Sequence, residues 1–576
     1  MKFLRQHWQN LISLSDNQIG LALLALLAGI ASALVISLFR LAIEWPLTGI
    51  FAIDNADQFE ALSENSRLLL LLGGGAALIA LFHYLRPERR GVGVTHVMQR
   101  MELHQGYLPL GNLVTQWVAA VIAIVSGHSV GREGPAVHLG AGTASQIGQS
   151  AGLAHHRLRI LAGAGVASAI SASFNTPMAG VIFAMEVVLL EYNIRGFVPI
   201  ILASVAGAIV SEALFGAETA FAVPAFDMRS LAEIPYILAL GVIGGLVATA
   251  FIYLVKGFQK LNRFPIWFKW GALTLTTAAI SLMFPQLLGI GYDTVNATLA
   301  GEVVMGTLLA LLLGKLLLSS WAAAVSFPAG LIGPTLFIGA ALGGLMGQLS
   351  AWLLPEYPVS IGFYTLLGMG ALMGAVLRAP LAALVALLEL TANPNIIMPG
   401  MLAIVIASLV VSEVFRLPSV FEVQLGGGHN YQLPDPVQQM LRNTWVAAAM
   451  SQSFVVAPRS VSVETAGFML QREPDWLLLE DEKVIVPPAA IAEALEVSEA
   501  DDDGRHPDVD LIAIPADRQQ VEFISLKANM QDALDLMEQH HIQWLAVYRD
   551  DQYSRCVGLV SQTMIEHFYH YHPRGR

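Results

Sequence analysis

Long apolar runs constrain the fold of this sequence more than any other feature. The first, Ile19–Ile43, exceeds the length of about 20 residues that a helix needs to cross a bilayer. It is also longer than the apolar core of a signal peptide, so we interpret it as a first membrane span. Further runs follow at Leu68–Phe82, Leu108–Val125, Phe197–Leu214, Ile234–Val255, Gly271–Leu288, Val303–Val325, Ile361–Val376 and Met398–Val414. Only 13% of the residues are charged, so we predict a polytopic membrane protein.

Three other apolar runs are too short to cross a membrane as straight helices. They are Pro135–Ser150, Pro177–Leu190 and Pro380–Leu390, and each begins at a proline, a residue favoured in the first turn of a helix. A helix end inside the membrane is costly unless it lines a cavity or a site. These runs therefore predict interrupted helices around a functional site.

The membrane body also repeats itself. At one constant offset Gly134, Pro135, Gly140, Ala141, Gly148 and Gln149 recur as Gly333, Pro334, Gly339, Ala340, Gly347 and Gln348. At a slightly larger offset Pro177, Ala179 and Glu186 recur as Pro380, Ala382 and Glu389. Two homologous halves with interrupted helices at matching positions indicate a transporter-type site at the repeat interface, and we expect the halves to be inverted.

Basic residues give the orientation. Residues Lys2, Arg5, Arg86, Arg89, Arg90, Arg157 and Arg159 belong on the cytoplasmic side by the positive-inside tendency. Residues 1–17, with Trp8 and Leu11 among their charges, are expected to form a cytoplasmic amphipathic segment. We expect a multi-pass protein of the cell (inner) membrane with both termini in the cytoplasm.

The end of the chain has a different composition. From Pro436 onward acidic residues outnumber basic ones two to one, within a net charge of −13, which argues against nucleic acid as a partner. We predict two related α/β units, Asn443–Leu495 and Leu511–His570, separated by an acidic linker, Glu499–Asp508. The second unit is expected to contain strands at Val521–Leu526, Trp544–Tyr548 and Cys556–Ser561 and a helix at Asn529–His540.

The most informative motif is Gly131–Pro135, which places Arg132 and Glu133 at the mouth of a short intramembrane helix. The N–H groups at a helix N-terminus bind anions, and a carboxylate just outside the helix can compete for that place. The alternative is an ion pair in a loop facing water. Similar breaks occur at 91–95, 174–177 and 330–334. Together they suggest a small anion held by backbone dipoles without a fixed full cation.

On these motifs the sequence resembles the CLC family of chloride channels and proton/chloride exchangers, from about Ile19 to Leu425. The resemblance implies an all-α polytopic membrane protein built from two inverted repeats with broken intramembrane helices, followed by a soluble α/β tail. It implies a homodimer with an anion pathway in each subunit, and Glu133 as the gate. The implied pathway residues are Val92, Gly93, Gly131, Arg132, Gly134, Pro135, Gly330, Leu331, Ile332 and Phe421.

The domain boundaries follow from the same resemblance. The transmembrane domain spans 18–425, with repeats at about 68–215 and 271–415. A linker at 426–438 leads to the tail, 439–576, which resembles a pair of CBS modules that would modulate transport. Met564 stands where the modules carry an Asp that holds a ribose. We therefore predict no nucleotide, no other cofactor and no metal.

Three departures from the family pattern bear on the anion. Val92 replaces a serine, and Phe421 falls on the position of a tyrosine, so two hydroxyl donors are missing. Ile332 replaces an aromatic residue. Backbone amides around Leu331 and Ile332 would then do most of the coordinating. The expected substrate is chloride or another small anion, and a weakly hydrated anion would bind relatively well.

A fourth departure concerns protons. The internal glutamate that exchangers of the family use falls on Val187, which cannot relay a proton. This favours a glutamate-gated passive channel. Proton/chloride exchange stays open as the alternative, with Glu186 or Glu191 as the substitute proton site.

Two further classes compete with transport. Residues 127–131 match the G-x-S-x-G elbow of hydrolases, but that motif needs a strand before the serine, whereas the preceding residues form an apolar helical run. We therefore expect no enzyme. A non-conducting membrane sensor, with the tail as effector site, is the other class, and the Glu133 motif argues against it.

Overall fold

The computed structural model describes residues 18–51, 57–191, 194–216, 221, 233–353, 360–426, 436–442, 444–497, 508–549 and 555–571. The chain divides into two compact units: Met1–Leu153 with Arg157–Gln432, and Ala154–His156 with Leu433–Arg576. The predicted N-terminal segment 1–17 and most of the linkers 426–438 and 499–508 lie outside the described residues.

The named elements in the first half of the membrane unit are all helices, within its described residues. Its helices are α1 (Gln18–Trp45), α2 (Glu64–Tyr84), α3 (Gly93–Leu103), α4 (Leu110–Val125), α5 (Glu133–Ser150), α6 (His155–Phe174), α7 (Pro177–Phe183) and α8 (Ile194–Phe215). A π-helical turn, Ala184–Leu189, prolongs α7.

The second half follows the same order. Its helices are α9 (Ile234–Phe258), α10 (Ile266–Ser281), α11 (Tyr292–Leu299), α12 (Met305–Ala324), α13 (Ile332–Leu353), α14 (Ile361–Leu377), α15 (Pro380–Thr391), α16 (Ile397–Leu409) and α17 (Val420–Gln424). Seven described helices are long and apolar enough to cross a membrane. One of them, α13, was not among the long apolar runs of the sequence, and α10 begins five residues before the run at Gly271.

Matching glycines join the helices of each half at close range. A Cβ atom at Gly140 would lie 2.3 Å from the carbonyl oxygen of Gly165, where α5 crosses α6. At the matching positions in α13 and α14, a Cβ at Gly339 would lie 2.4 Å from the carbonyl oxygen of Gly368. Only glycine lets these backbones approach so closely. The sequence repeat is therefore a structural repeat.

Of the three short helices that were predicted to begin at a proline, two do so. Pro177 and Pro380 are the first residues of α7 and α15. The third helix, α5, begins earlier, at Glu133, with Arg132 as its N-cap residue. The expectation that Glu133 lies just outside its helix was therefore wrong.

The tail is an α/β unit built from two similar halves. One sheet has the strand order β1–β3–β4–β6–β7–β8. In each half two parallel strands are followed by an antiparallel one. The strands are β1 (Phe454–Val456), β2 (Ser460–Val461), β3 (Trp476–Leu479), β4 (Val484–Val486), β5 (Val509–Asp510), β6 (Gln519–Ser525), β7 (Trp544–Tyr548) and β8 (Cys556–Ser561).

Helices accompany this sheet, and two of them begin after a residue whose side chain caps the helix. The helices are α18 (Pro436–Arg442), α19 (Val463–Leu470), α20 (Pro488–Val497), α21 (Met530–His540) and α22 (Gln562–Tyr571). Asn529 caps α21, so the helix predicted at Asn529–His540 is confirmed. The strands predicted at Trp544–Tyr548 and Cys556–Ser561 are also confirmed in their bounds.

Candidate anion pathway

The two halves of the membrane unit meet at a pair of equivalent glycines. The N–H of Gly131 donates to the carbonyl of Gly330 at 3.0 Å, and the N–H of Gly330 donates back at 2.8 Å. Such an exchange is the antiparallel pattern, so equivalent segments of the two halves run in opposite directions here. A Cβ at Gly134 would lie 2.5 Å from the Cα of Gly330, which explains a glycine at both positions.

Glu133 is fully buried beside this junction. One carboxylate oxygen, Oε2, accepts the N–H of Gly333 at 3.1 Å. The other, Oε1, accepts the hydroxyl of Tyr292. Gly333 lies in the first turn of α13, where N–H groups have no partner within the helix. The carboxylate therefore occupies an anion-binding helix end, which belongs to the opposite half of the repeat.

Arg132 lies on another side of Glu133 from the amides of α13. Its Nε is 3.9 Å from Oε1 of Glu133, and its guanidinium lies over the ring of Tyr292 at 5.4 Å. Arg132 and Tyr292 line a cavity of about 180 Å³ that also contains Arg40, Asp293 and Asn296. We call it the Arg132 cavity.

Five predicted pathway residues line a second cavity, of about 40 Å³. They are Val92, Gly93, Gly330, Leu331 and Phe421. We call it the Phe421 cavity, and it is large enough to hold a water-sized occupant. Its other lining residues include Ser129, Ser319, Ser326 and Gln424. Because Gly330 and Leu331 lead directly into α13, this cavity adjoins the helix end that Glu133 occupies.

Not every predicted pathway residue offers a group to an anion. The N–H of Gly93 donates to the buried Oε1 of Gln116 at 2.5 Å, so this amide is engaged within the protein. Ile332 is buried in an apolar pocket with Phe174 and Phe183. Gly131, Gly134 and Pro135 lie at the glycine junction rather than in the lining of either cavity.

Glu186 is engaged at a helix end. Its carboxylate accepts the N–H groups of Leu381 and Ala382, at 3.2 and 2.8 Å, and so caps the N-terminus of α15. Its repeat partner Glu389 accepts the N–H groups of Met178 and Ala179, both at 2.8 Å, and caps α7. This reciprocal pair explains both glutamates as structural caps.

The other two positions considered for protons are also accounted for. Val187 is buried, with 3% of its surface exposed. Glu191 accepts a hydrogen bond from Nη2 of Arg159 at 3.0 Å, and both side chains are largely buried.

Sequence reasoning missed a buried lysine. Lys315, in the middle of α12, is fully buried, and its Nζ donates to the carbonyls of Gly289 at 2.9 Å and Ile290 at 3.3 Å. These carbonyls precede Gly291, whose φ of +84° starts α11 at Tyr292. The expectation that backbone dipoles hold the anion without a fixed full cation stays a prediction, because Lys315 lines neither cavity. A lone lysine within an apolar run was the available signal.

A pair of histidines, the half-buried His96 and the buried His138, was missed as well. Nδ1 of His96 lies 2.8 Å from Nε2 of His138. His96 is in the first turn of α3, directly after the cavity-lining residues Val92–Thr95, and His138 is in α5, the helix that Glu133 begins. The pair thus links the two helices whose starts define the pathway.

The hydrolase motif at residues 127–131 lacks the required context. It follows α4, a helix, and not a strand. His128 is hydrogen-bonded to Oγ of Ser126 at 2.8 Å and to Oγ1 of Thr274 at 3.0 Å, and it makes no bond to Ser129 within the described part of the chain.

Comparisons with known proteins agree with this geometry. The family model described as voltage gated chloride channel matches residues 73–412. A putative chloride channel protein ClcB-like from Ralstonia nicotianae is 30% identical over 411 residues, covering 69% of this chain and 94% of the relative. The H(+)/Cl(−) exchange transporter ClcA of Vibrio cholerae is 27% identical, covering 55% of this chain and 70% of the relative.

Solved structures share the fold. The crystal structure of a slow cyanobacterial Cl−/H+ antiporter matches with a TM-score of 0.62 at 22% identity, covering 70% of this chain and 97% of that one. A eukaryotic CLC transporter matches with a TM-score of 0.60 at 19% identity, covering 94% of this chain and 97% of that one. The chain therefore belongs to the voltage-gated chloride channel family, the CLC family of anion channels and transporters.

Proposed function

We propose that this chain conducts chloride or a similar small anion through a membrane pathway that Glu133 closes. The observation that supports this most strongly is the hydrogen bond from Gly333 N–H to the buried Glu133 carboxylate. A carboxylate in that position is a tethered anion on an anion-binding helix end. A mobile anion and the carboxylate therefore compete for the same amides.

The mechanism follows from this competition. When Glu133 is ionised, its charge strengthens the bonds from Gly333 and Tyr292, and the pathway between the Phe421 cavity and the Arg132 cavity is closed. Protonation removes the charge that these donors favour. A high anion concentration displaces the carboxylate by mass action. Either event frees the helix end for the transported anion.

The test is efflux of chloride from liposomes that contain the purified protein. Glu133→Gln removes the charge while keeping the shape, and we expect efflux to rise about tenfold, the factor that corresponds to about 1.4 kcal/mol. Glu389→Gln is the matched control, since it also removes a carboxylate from a helix end but lies at neither cavity. Equal efflux from the Glu133 variant and the unmodified protein contradicts the gate.

Passive conduction is the form of transport that the residues beside α7 favour. Val187 has no proton to give, Glu186 is held by two amides, and Glu191 is held by Arg159. We therefore expect the reversal potential under a chloride gradient to follow chloride alone. An opposing pH gradient should not shift it.

Proton/anion exchange is the second candidate, and the His96–His138 pair is the observation that favours it. Two imidazoles at 2.8 Å accommodate one additional proton, because two imidazolium rings at that distance repel each other. Besides His138, the groups that act on His96 electrostatically are Arg100 and His104, which lie on the same helix. If a pH gradient shifts the reversal potential, His138→Gln should abolish the shift, whereas Glu186→Gln should not.

Assembly and cellular setting are part of the same proposal. Large apolar side chains are exposed on four neighbouring elements, at Met178, Val198, Leu381 and Met401. We propose that such surface meets lipid and a second copy of the chain in a homodimer in the cell (inner) membrane. Both termini would be cytoplasmic, and the CBS-like tail would modulate transport without a nucleotide or other cofactor. Cross-linking in membranes tests the dimer.

A further inference from the structure

The Phe421 cavity lacks the hydroxyls that the family resemblance implies at two positions, Val92 and Phe421. Other hydroxyl-bearing residues line it instead, and the buried residue Ser129 is one of them. Only 3% of Ser129 is exposed, and its Oγ has no hydrogen-bond partner within the described part of the chain. A buried hydroxyl left without a partner costs about 1–3 kcal/mol. Such a group in a native fold calls for an explanation.

The backbone around Ser129 is fixed on both sides. Its carbonyl accepts Oγ of Ser319 at 3.2 Å, which ties it to α12. Two residues later Gly131 forms the reciprocal bridge to Gly330. Two residues earlier Gly127 has a φ of +83°, so the chain turns sharply before Ser129. The hydroxyl is therefore held in place by contacts that do not use its own hydrogen-bonding capacity.

A neighbouring serine shows that the local chain does satisfy hydroxyls. Ser126 is also buried, and its Oγ bonds Nδ1 of His128 at 2.8 Å and the carbonyl of Ala123 at 3.1 Å. Of these two neighbouring serines, the one whose hydroxyl lacks a partner is the one that lines the cavity. A cavity that adjoins a helix end with free N–H groups lets a ligand supply the missing acceptor.

We propose that the Ser129 hydroxyl donates a hydrogen bond to the transported anion in the Phe421 cavity. The inference rests on the proposed anion transport and identifies a specificity-determining residue of that site. One hydroxyl beside backbone amides, with Val92 and Phe421 as apolar walls, suits a small monovalent anion of weak hydration, such as chloride, bromide or nitrate. A strongly hydrated anion such as fluoride would lose more water than these donors replace.

The experiment measures chloride binding by calorimetry in the full-length protein in detergent, together with bi-ionic reversal potentials in liposomes. Ser129→Ala should weaken chloride binding about tenfold, the range expected for one hydrogen bond to a charged group. It should also shift selectivity from chloride towards nitrate. Ser129→Cys keeps the volume with a much weaker donor and should show the same loss, whereas Ser129→Thr should retain binding.

Ser171→Ala is the matched control, because Ser171 is also buried with a hydroxyl that has no hydrogen-bond partner within the described part of the chain, but it lines neither cavity. It should leave chloride binding unchanged. Chloride binding within twofold of the unmodified protein in both Ser129→Ala and Ser129→Cys overturns the proposal. That outcome differs from failure of the proposed function, in which the unmodified protein neither binds chloride nor conducts it and Glu133→Gln changes nothing.

Discussion

The two halves of the membrane unit agree at one pair of half-buried carboxylates and differ at another position of the repeat. Glu186 and Glu389 occupy equivalent positions and cap each other's helices with nearly equal distances. Glu133 has no such counterpart, because its equivalent in the second half is Ile332. The acid that both halves retain serves the architecture. The acid that one half lacks is the one that we propose as the gate.

The same contrast holds around Glu133. Tyr292, which donates to its carboxylate, is equivalent to Gly93, and Lys315, which supports the turn before Tyr292, is equivalent to Gln116. Lys315 and Gln116 have the same structural role, since each forms hydrogen bonds with the backbone at or before the start of a short helix. The halves differ in charge, because Lys315 is a cation and Gln116 is neutral. They also differ at the start of the short helix, where Tyr292 has a side chain and Gly93 has none. Departure from the internal symmetry therefore marks the site.

The largest expected effect on stability comes from replacing Lys315, the buried cation that has no charged counterpart in the first half. Lys315→Met leaves the carbonyls of Gly289 and Ile290 buried without their donor, and we expect a loss of about 3 kcal/mol in the free energy of unfolding. Thermal unfolding in detergent measures it. Lys315→Gln installs the residue type of the first half and should recover part of the loss. If Lys315→Gln loses as much unfolding free energy as Lys315→Met, a glutamine at position 315 does not support the backbone as Gln116 does in the first half.

This cation also shows the limit of sequence analysis. Most of the spans, the starts of α7 and α15, the repeat and the Glu133 motif were predictable, because apolar length, proline position and glycine spacing are local properties. The span α13 was not recognised. The partners of Lys315 were not, since Gly289 and Ile290 lie outside its helix and meet it only in the folded body. The structure also corrected the start of α5, which begins at Glu133, the position equivalent to the start of α13 at Ile332.

The candidate site was predictable to a similar degree. Val92, Gly330, Leu331 and Phe421 do converge on one cavity. The engagement of Gly93 by Gln116 was not predictable, because nothing in the spacing of these two residues indicates a bond between a backbone amide and a distant side chain. For the same reason Glu186, a proton candidate by sequence, proved to be bonded to α15.

Removal of either symmetrical carboxylate, Glu186 or Glu389, should have the next largest effect on stability. Glu186→Ala and Glu389→Ala each remove a charged cap from two amides at a partly buried helix end, and we expect each to destabilise the protein by about 2 kcal/mol. Thermal unfolding should show equal losses, and chloride efflux relative to protein content should stay unchanged. A change in the pH dependence of transport for Glu186→Ala alone would break the symmetry and return Glu186 to the proton pathway.

Moving the gate to the other half tests the asymmetry directly. The double substitution Glu133→Ile and Ile332→Glu places a carboxylate opposite the N–H of Gly134, by the repeat. The equivalent of Tyr292 there is Gly93, which has no hydroxyl. We expect chloride efflux about tenfold above that of the unmodified protein, as for Glu133→Gln. Efflux as low as in the unmodified protein would show that helix-end capture alone closes the pathway and that Tyr292 adds nothing.

The smallest effect concerns the tail, whose two halves also differ in an equivalent feature. The first helix of the second half, α21, has a capping box, in which Asn529 and Asp532 bond each other's N–H groups at 2.8 and 3.3 Å. In the first half Ser462 gives α19 a single bond from the N–H of Thr465, at 3.3 Å. Asn529→Ala should therefore destabilise the tail by about 1 kcal/mol, and Ser462→Ala by less.

The stability of the tail can be measured by alkylation of Cys556. It is the only cysteine of the sequence, so no residue of the membrane unit contributes to the signal. Cys556 is buried in β8, and burial raises the pKa of its thiol to about 11, so alkylation at pH 8 requires the tail to open. Asn529→Ala should speed alkylation about fivefold, which corresponds to about 1 kcal/mol, and chloride efflux should not change. Asymmetry between repeats has two origins, drift in how a helix is stabilised and specialisation of a site. A changed efflux in Asn529→Ala would remove that distinction, because the tail asymmetry would then act on the pathway for which we propose Glu133 as the gate.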